Sequence, residues 1–209
     1  LFMGVVWLLF RLLTRLHVTG SEHIPLTGPL IVAPNHLHSL DVPLVGMVIP
    51  RRTAIFAAEK YRGRWGGRMM DHVTQVIYVE RGEADRAALN QALAVLKAGG
   101  AMAVAPEGTH SRTGGLQQGK HGAVYLASRT GATIIPVAAW GHERALSELR
   151  HFRRADVHVV IGPPWPLPAG AERARTSELH AYTDELMVTL ARMLPEQYRG
   201  VYADRAAGG

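Results

Sequence analysis

Short apolar runs, bounded by proline, glycine or polar residues, recur along the chain and predict the strands of a sheet. The run at residues 28–34 lies between Gly28-Pro29 and Pro34 and contains four consecutive apolar residues. Such short runs are typical of strands that are buried on both faces. Further strands are predicted at residues 53–58, 76–79, 101–105, 133–139 and 157–161.

Three longer segments between these strands have the apolar spacing of helices. Residues 84–98 place Ala88, Ala92 and Leu96 on one face, and Gly99-Gly100 ends the segment. Further helices are predicted at residues 121–130 and 176–193. Alternating strands and helices indicate a single layered α/β domain, with a mixed, mostly parallel sheet flanked by helices. In such folds the polar site lies in loops beyond the strand ends.

The chain opens with an apolar run at residues 1–10, which is followed by Arg11 and Arg15, one helical turn apart. The spacing of the apolar residues predicts a helix over 1–16, shorter than the ~20 residues that a bilayer span requires. An apolar helix with arginines at its end suits insertion into one leaflet, and packing on the protein's own core is the alternative. The predicted organisation is an interfacial helix at 1–16, a globular domain at 17–198 and a tail at 199–209.

Composition narrows the choice of partners. The 209 residues carry 23 lysines and arginines against 17 aspartates and glutamates, a formal net charge of +6. The sequence has no cysteine, which excludes a disulfide scaffold, a cysteine-ligated zinc site, an iron–sulfur cluster and a thiol nucleophile. A basic and apolar chain favours an anionic membrane surface. Nucleic acid is not expected, because only four Phe, six Tyr and four Trp are available for base stacking.

A candidate general base follows the first buried strand directly. A neutral histidine such as His36 takes up a proton near neutral pH, and a carboxylate such as Asp41 fixes its tautomer and stabilises the imidazolium. The five-residue spacing allows contact if His36 lies on a loop and Asp41 in the first turn of the next helix. Because the sequence has no cysteine and no G-x-S-x-G string, the base is expected to activate a hydroxyl of the substrate.

The same segment allows a metal site as an alternative. His36 and His38, two residues apart, can share a metal ion, and Asp41 can supply a third ligand. This alternative predicts a metal-dependent hydrolase instead of a metal-free enzyme.

Two later loops carry residues suited to an anionic substrate. Arg81 stands just beyond the strand at 76–79, where a guanidinium can bind a phosphate through paired hydrogen bonds. A surface ion pair with a neighbouring glutamate is the alternative. In the loop at 106–120, Glu107 can accept hydrogen bonds from substrate hydroxyls, and Gly108 allows the backbone to approach a ligand closely.

Four strings together resemble the glycerophospholipid acyltransferase family, over roughly residues 18–161. The strings are Asn35-His36-x4-Asp41, the strand ending in Arg81-Gly82, Pro106-Glu107-Gly108-Thr109-x-Ser111, and Ile135-Pro136-Val137. They are similar, in this order, to the catalytic block, the phosphate-binding block, the P-E-G-T-R-S block and the last block of the family. His110 and Ala105 depart from the pattern, because the family usually has Arg and Phe there.

The resemblance implies roles for individual residues. His36 is implied as the general base and Asp41 as its partner, while Arg81, Glu107 and Gly108 are implied to hold the glycerol phosphate. Thr109 of the third string, Arg112 in place of the missing arginine and Lys60 are the further substrate-binding residues expected from it.

The function implied is transfer of a fatty acyl group from an acyl thioester, of coenzyme A or of acyl carrier protein, to the free hydroxyl of a lysophospholipid. Lysophosphatidic acid is the expected acceptor and phosphatidic acid the product. We expect no metal and no cofactor beyond the thioester co-substrate, and a peripheral or monotopic location on the cytoplasmic face of the cell membrane. The metal-dependent hydrolase and a non-catalytic, basic membrane-binding protein are the rival predictions.

Overall fold

The computed structural model of the protein describes residues 8, 10–80 and 85–208. Seven strands form one sheet in the spatial order β1-β7-β6-β2-β5-β3-β4. The strands are β1 (Thr14–Thr19), β2 (Leu30–Pro34), β3 (Thr53–Ala58), β4 (Gln75–Val79), β5 (Ala101–Ala103), β6 (Thr133–Trp140) and β7 (Ala155–Ile161). Neighbouring strands are parallel except for β6 and β7, which are antiparallel. The predicted mixed, mostly parallel sheet is confirmed.

The directions of the strands decide which loops meet. Because β2 to β6 are mutually parallel, their carboxyl ends lie at one edge of the sheet, which we call the loop edge. Strand β7 runs antiparallel to β6, and β1 runs parallel to β7. Both β1 and β7 therefore begin at the loop edge. The amino ends of β2 to β6 lie at the opposite edge.

Helices cover both faces of this sheet. They are α1 (Asp41–Val48), α2 (Trp65–Val73), α3 (Arg86–Lys97), α4 (Gly122–Thr130), α5 (Ala145–Arg150), α6 (Thr176–Met193) and α7 (Ala203–Ala207). Alternate residues of β2 enter different cores, because successive side chains of a strand point to opposite faces. Ile31 packs in the core that contains residues of α3, α4 and α6, whereas Leu30 packs in the core that contains residues of α1. The fully buried sequence of β2 follows from this double coverage.

The amino-terminal segment differs from the sequence prediction. Residues 10–13 are helical, as is Leu8, but the helix predicted over 1–16 is wrong from residue 14 onward, because 14–19 form β1. Leu16 and Val18 pack against the core, whereas Arg15, His17 and Thr19 are exposed. This two-residue period is typical of a strand, not of a helix. Residues 1–7 and 9, where most of the predicted helix falls, lie outside the described residues. No helix in the described part of the chain has the length and apolar character needed to cross a membrane.

The carboxy-terminal residues are not a tail. Residues 199–208 form a short turn and helix α7, and Tyr202 is buried against Met187 and Leu190 of α6. The Tyr202 hydroxyl accepts a hydrogen bond from the Gly119 amide at 3.0 Å and donates one to Asp184 Oδ1 at 3.1 Å. Tyr198, Tyr202 and Ala206, spaced by four, supply the apolar face that the prediction of a tail overlooked.

Candidate active site

The first feature of the site is a fixed strand end. Asn35, the residue after β2, is completely buried. Its Nδ2 donates to the Ala139 carbonyl at 2.8 Å, and its Oδ1 accepts from the Ala139 amide at 2.7 Å. Both bonds tie the end of β2 to β6. The backbone that carries His36 is therefore held by the sheet itself.

His36 and Asp41 form a hydrogen-bonded pair at the loop edge. The distance between His36 Nδ1 and Asp41 Oδ2 is 2.6 Å. Asp41 is the first residue of α1, and the same Oδ2 accepts from the His38 amide at 3.0 Å. His36 lies on the loop and Asp41 in the first helical turn, which confirms the placement predicted from their spacing. Their catalytic roles stay predictions.

A second histidine contacts the other oxygen of Asp41. His142 Nε2 pairs with Asp41 Oδ1, and the His142 side chain is fully buried. On its other side, His142 Nδ1 lies 3.9 Å from Glu143 Oε2, and Glu143 Oε1 accepts from the Tyr198 hydroxyl at 2.7 Å. No motif described above includes His142. The usable signal is its place directly after β6, which ends at the loop edge beside β2.

The two histidines set the charge of Asp41. Burial alone would raise the pKa of this carboxyl, but the hydrogen bonds from His142 and His36 outweigh it and lower the pKa to about 2. Asp41 is therefore ionised at neutral pH and can only accept hydrogen bonds. It follows that His36 Nδ1 carries a hydrogen and that neutral His36 has its free electron pair on Nε2. This tautomer is the one that a general base needs.

Glu107 joins two loops beneath this pair. It is buried, with Oε1 accepting from the His36 amide at 2.8 Å and Oε2 accepting from the Gln117 amide at 2.9 Å. Burial raises the pKa of Glu107, and the two amide hydrogen bonds oppose the rise. Both carboxylate oxygens thus position backbone, one at His36 and one in the loop at 106–120. The predicted contact of Glu107 with a substrate stays a prediction beside this observed positioning role.

An apolar cavity of about 460 Å³ opens next to His36 and Asp41. Its walls come from β3, β4, β5, α1 and α3, and include Val45, Phe56 and Leu89. This set of residues was not separable from ordinary core positions in the sequence, because an apolar wall and an apolar core have the same pattern. The cavity has the character of a hydrocarbon site whose polar lining includes His36 and Asp41.

Of the other predicted binding residues that the structure describes, Gly108 is the one that lines this cavity. Gly108 lines it with a positive φ of 67°, and a Cβ there would lie 3.3 Å from Lys120 Nζ. The described lining does not include Lys60, Thr109 or Arg112. Lys60 and Arg112 are exposed, and Thr109 is half-buried. Arg81 lies outside the described residues, while its neighbours Glu80 and Asp85 line the cavity.

The structure brings together a different set of possible metal ligands from the one expected from the sequence. Among the described residues, His36, Asp41 and His110 bring one ligand atom each within 4.8 Å of one another. His38 is not in this group, so the set His36, His38 and Asp41 written from the sequence is wrong in its second member. His110 instead stacks on His36 with ring centroids 3.9 Å apart. The Asp41 oxygens that a metal would need already contact His36 and His142.

The amino-acid sequence is similar to a protein family and to named proteins over most of its length. Residues 15–140 match the family model described as Acyltransferase. The 1-acyl-sn-glycerol-3-phosphate acyltransferase alpha of Mus musculus is 31% identical over 93% of this chain and 67% of its own length. Its Homo sapiens counterpart is 28% identical over 81% of this chain and 64% of its own length, so the chain spans somewhat less than two thirds of that relative.

A solved structure has the same fold. The crystal structure of the 1-acyl-sn-glycerophosphate (LPA) acyltransferase PlsC from Thermotoga maritima superimposes with a TM-score of 0.66 and 27% sequence identity. The match covers 85% of this chain and 71% of that one. The family match at 15–140 contains β1 to β6, the His36–Asp41 pair and the loop that holds Glu107. The chain is therefore a member of the acyltransferase family.

Proposed function

We propose that the protein transfers a fatty acyl group from an acyl thioester to the free hydroxyl of a lysophospholipid, with lysophosphatidic acid as the acceptor. One observation carries the proposal: a histidine hydrogen-bonded to an ionised carboxylate stands at the end of an apolar cavity. The relatives named above support the choice of acceptor, because their names specify 1-acyl-glycerol-3-phosphate.

The proposed chemistry moves one proton and one acyl group. His36 Nε2 accepts the proton of the acceptor hydroxyl as its oxygen attacks the carbonyl carbon of the thioester. Asp41 stabilises the imidazolium that forms. The carbon–sulfur bond then breaks, the ester is complete, and the departing thiolate takes the proton back from His36. This sequence needs no covalent enzyme intermediate and no metal.

The two substrates are assigned to different parts of the site. The apolar walls of the cavity suit the acyl chain, since hydrocarbon is favourable where water is excluded. The phosphate of the acceptor is assigned to Arg81, the backbone at Gly108 and the cations Arg112 and Lys60. Lys120, whose Nζ lies beside Gly108, adds positive charge at that position. The thioester carrier, coenzyme A or acyl carrier protein, is assigned to the cytoplasmic side of the cell membrane.

The test is lipid mass spectrometry after incubation with mixed acyl thioesters and candidate lysolipids. The expected product is phosphatidic acid, with an equivalent amount of free thiol released. His36→Ala is the matched control and should form no product above the uncatalysed level. Hydrolysis of the thioester without ester formation would favour a hydrolase. No turnover of any pair, combined with binding to lipid vesicles, would favour the non-catalytic membrane protein.

A further inference from the structure

The fold brings a second surface to the same edge as the catalytic pair. Strands β1 and β7 begin at the loop edge, where β2 and β6 end. The helical residues 10–13 therefore lead into this edge, and so does the turn at 150–154 between α5 and β7. Arg154 donates from Nη2 to the carbonyls of Arg11 and Thr14, which joins the two segments. We name residues 8, 10–15 and 146–154 together the arginine–leucine surface.

Phe152, in the turn of this surface, has both an unusual exposure and an unusual backbone conformation. Its side chain is fully exposed, at 101%, and its φ is +56°. The Phe152 amide donates to the Leu149 carbonyl and the Arg153 amide to the Glu148 carbonyl, which is the Schellman arrangement that ends a helix. Glycine normally occupies the left-handed position of this motif, because a bulky side chain is strained there. A strained aromatic that packs on nothing in the described protein points to a contact made outside it.

Other apolar side chains on this surface are exposed as well. Leu8 and Leu12, one helical turn apart, are 53% and 60% exposed, and Leu146 of α5 is 60% exposed. Arginines alternate with these apolar residues along both segments, Arg11 and Arg15 in the first and Arg150 and Arg153 in the second. A protein partner buries a continuous apolar centre, whereas separated apolar tips among cations suit insertion between lipid headgroups.

The net charge of the arginine–leucine surface indicates the charge of the lipid that it would bind. The arginine–leucine surface contains five arginines and one carboxylate. Arg15 and Arg153 reach Asp156 and Glu148 at 3.6 and 3.2 Å, so part of the charge is compensated within the protein. Arg150 is exposed at the end of α5, beside Phe152. The excess of arginine complements an anionic bilayer surface.

We infer that the arginine–leucine surface docks on an anionic bilayer, with Phe152 inserted among the headgroups and the loop edge turned toward the membrane. The inference rests on the proposed function only in choosing a lipid as the partner. Docking in this orientation places the mouth of the catalytic site at the layer in which a lysolipid acceptor lies. The surface thereby extends the membrane contact beyond the first segment of the chain to a turn more than one hundred residues later.

The experiment is flotation with vesicles of equal parts phosphatidylcholine and phosphatidylglycerol, using four variants. Phe152→Gly should weaken vesicle affinity roughly ten-fold, yet leave Tm equal or higher because glycine relieves the positive φ. Arg150→Gln should weaken affinity about five-fold at low salt, and added salt should remove the difference. Leu26→Ser and Lys97→Gln are the matched controls, because Leu26 is 72% exposed and both residues lie toward the opposite edge of the sheet.

The outcomes of this test separate the inference from the proposed function. Equal flotation of Phe152→Gly and the parent overturns it, as does an equal loss in Leu26→Ser. A parent that does not bind anionic vesicles overturns it whatever its enzymatic activity. Transfer to a short-chain, water-soluble lysolipid should be the same in Phe152→Gly and the parent. A parent that floats and transfers nothing overturns the proposed function alone.

Discussion

His142 contacts Asp41 on the carboxylate oxygen that faces away from His36, so the buried carboxylate lies between two imidazoles. Residues 41 and 142 are far apart in the chain. They meet because β2 and β6 are adjacent and parallel, so the segments that follow the two strands lie side by side. His142 contacts Asp41 and is not among the described residues that line the cavity, so we expect it to act as a positioning residue.

His142→Leu should lower kcat about ten-fold and destabilise the fold by about 1–3 kcal/mol, because Asp41 Oδ1 loses its only described donor. His142→Gln keeps an N–H group and should retain most of the activity. Steady-state kinetics in a double-mutant cycle with Asp41→Asn provides the measurement. The loss caused by His142→Leu should shrink in the Asp41→Asn background. An equal loss in both backgrounds would mean that His142 only supports packing.

His36→Ala should lower kcat by about 10²–10⁴-fold, the usual cost of removing a general base. His38→Ala is the control, because the His38 side chain accepts from the Leu40 amide at Nδ1, while its backbone amide, which the substitution keeps, donates to Asp41. Turnover with and without EDTA completes the measurement. Activity lost on chelation and restored by zinc would contradict the metal-free mechanism.

Asp41→Asn should weaken the fold in a pH-dependent way. The pKa of Asp41 is lower in the folded protein than its ordinary value of 3.8, so its contribution is fully present above that value and is lost as pH falls through about 2. A shift of nearly two units corresponds to about 2 kcal/mol. Urea unfolding should therefore show a large difference between Asp41→Asn and the parent near pH 6, and a small one near pH 2. A difference that is constant over this range would contradict the assignment.

Arg81→Ala should chiefly raise KM for the phosphorylated acceptor. The phosphate is remote from the new bond and keeps its charge during the reaction, so its binding energy is nearly the same in the ground and transition states. Loss of a charged hydrogen bond of about 1.5–3 kcal/mol gives roughly a 10–150-fold change. Steady-state kinetics with each substrate varied in turn show which substrate Arg81 binds. An increase in KM for the thioester, and not for the acceptor, would assign Arg81 to the donor.

Truncation at two positions should separate the first helical segment from the sheet. A protein lacking residues 1–13 keeps β1 but loses Phe10, which packs against the core, so its Tm should fall by less than that of the longer truncation. A protein lacking residues 1–19 loses six residue pairs with β7 and should unfold at a distinctly lower temperature. Thermal unfolding monitored by circular dichroism provides the comparison. Equal Tm values would show that β1 does not contribute to the stability of the sheet.

Local patterns predicted the local parts of this protein. The strand at 53–58 and the helix at 176–193 have the predicted bounds, because apolar period and flanking polar residues act over a few residues. The contact of His36 with Asp41 was also predictable, since five residues separate them. The segment at 14–19 was mistaken because Leu16 fits both a helical spacing from Leu12 and a strand alternation with Val18.

Contacts that depend on the order of strands were not predictable in this way. His142 reaches Asp41 only because β6 lies next to β2, and its place after a predicted strand does not show which strand lies beside it. The hydrogen bond between the Gly119 amide and the Tyr202 hydroxyl joins residues 83 positions apart, so it too lies beyond the reach of a local pattern. The walls of the cavity share their apolar character with the core, so they become distinct only when β3, β5 and α3 are assembled.

The packing of the last residues constrains how this protein can be handled. The Leu116 amide donates to the Tyr198 carbonyl at 2.9 Å, and the Val201 amide donates to the Leu116 carbonyl at 3.1 Å, in the same loop that holds Glu107. Gly200 sits so close that a Cβ would lie 2.0 Å from the Leu116 oxygen. A chain cut before Tyr198, or an affinity tag joined there, would remove these two hydrogen bonds to Leu116. The loop that holds Glu107 would then be less fixed, and so would the backbone of His36, which Glu107 binds. Fusion partners therefore belong beyond α7, where the loop retains its anchor.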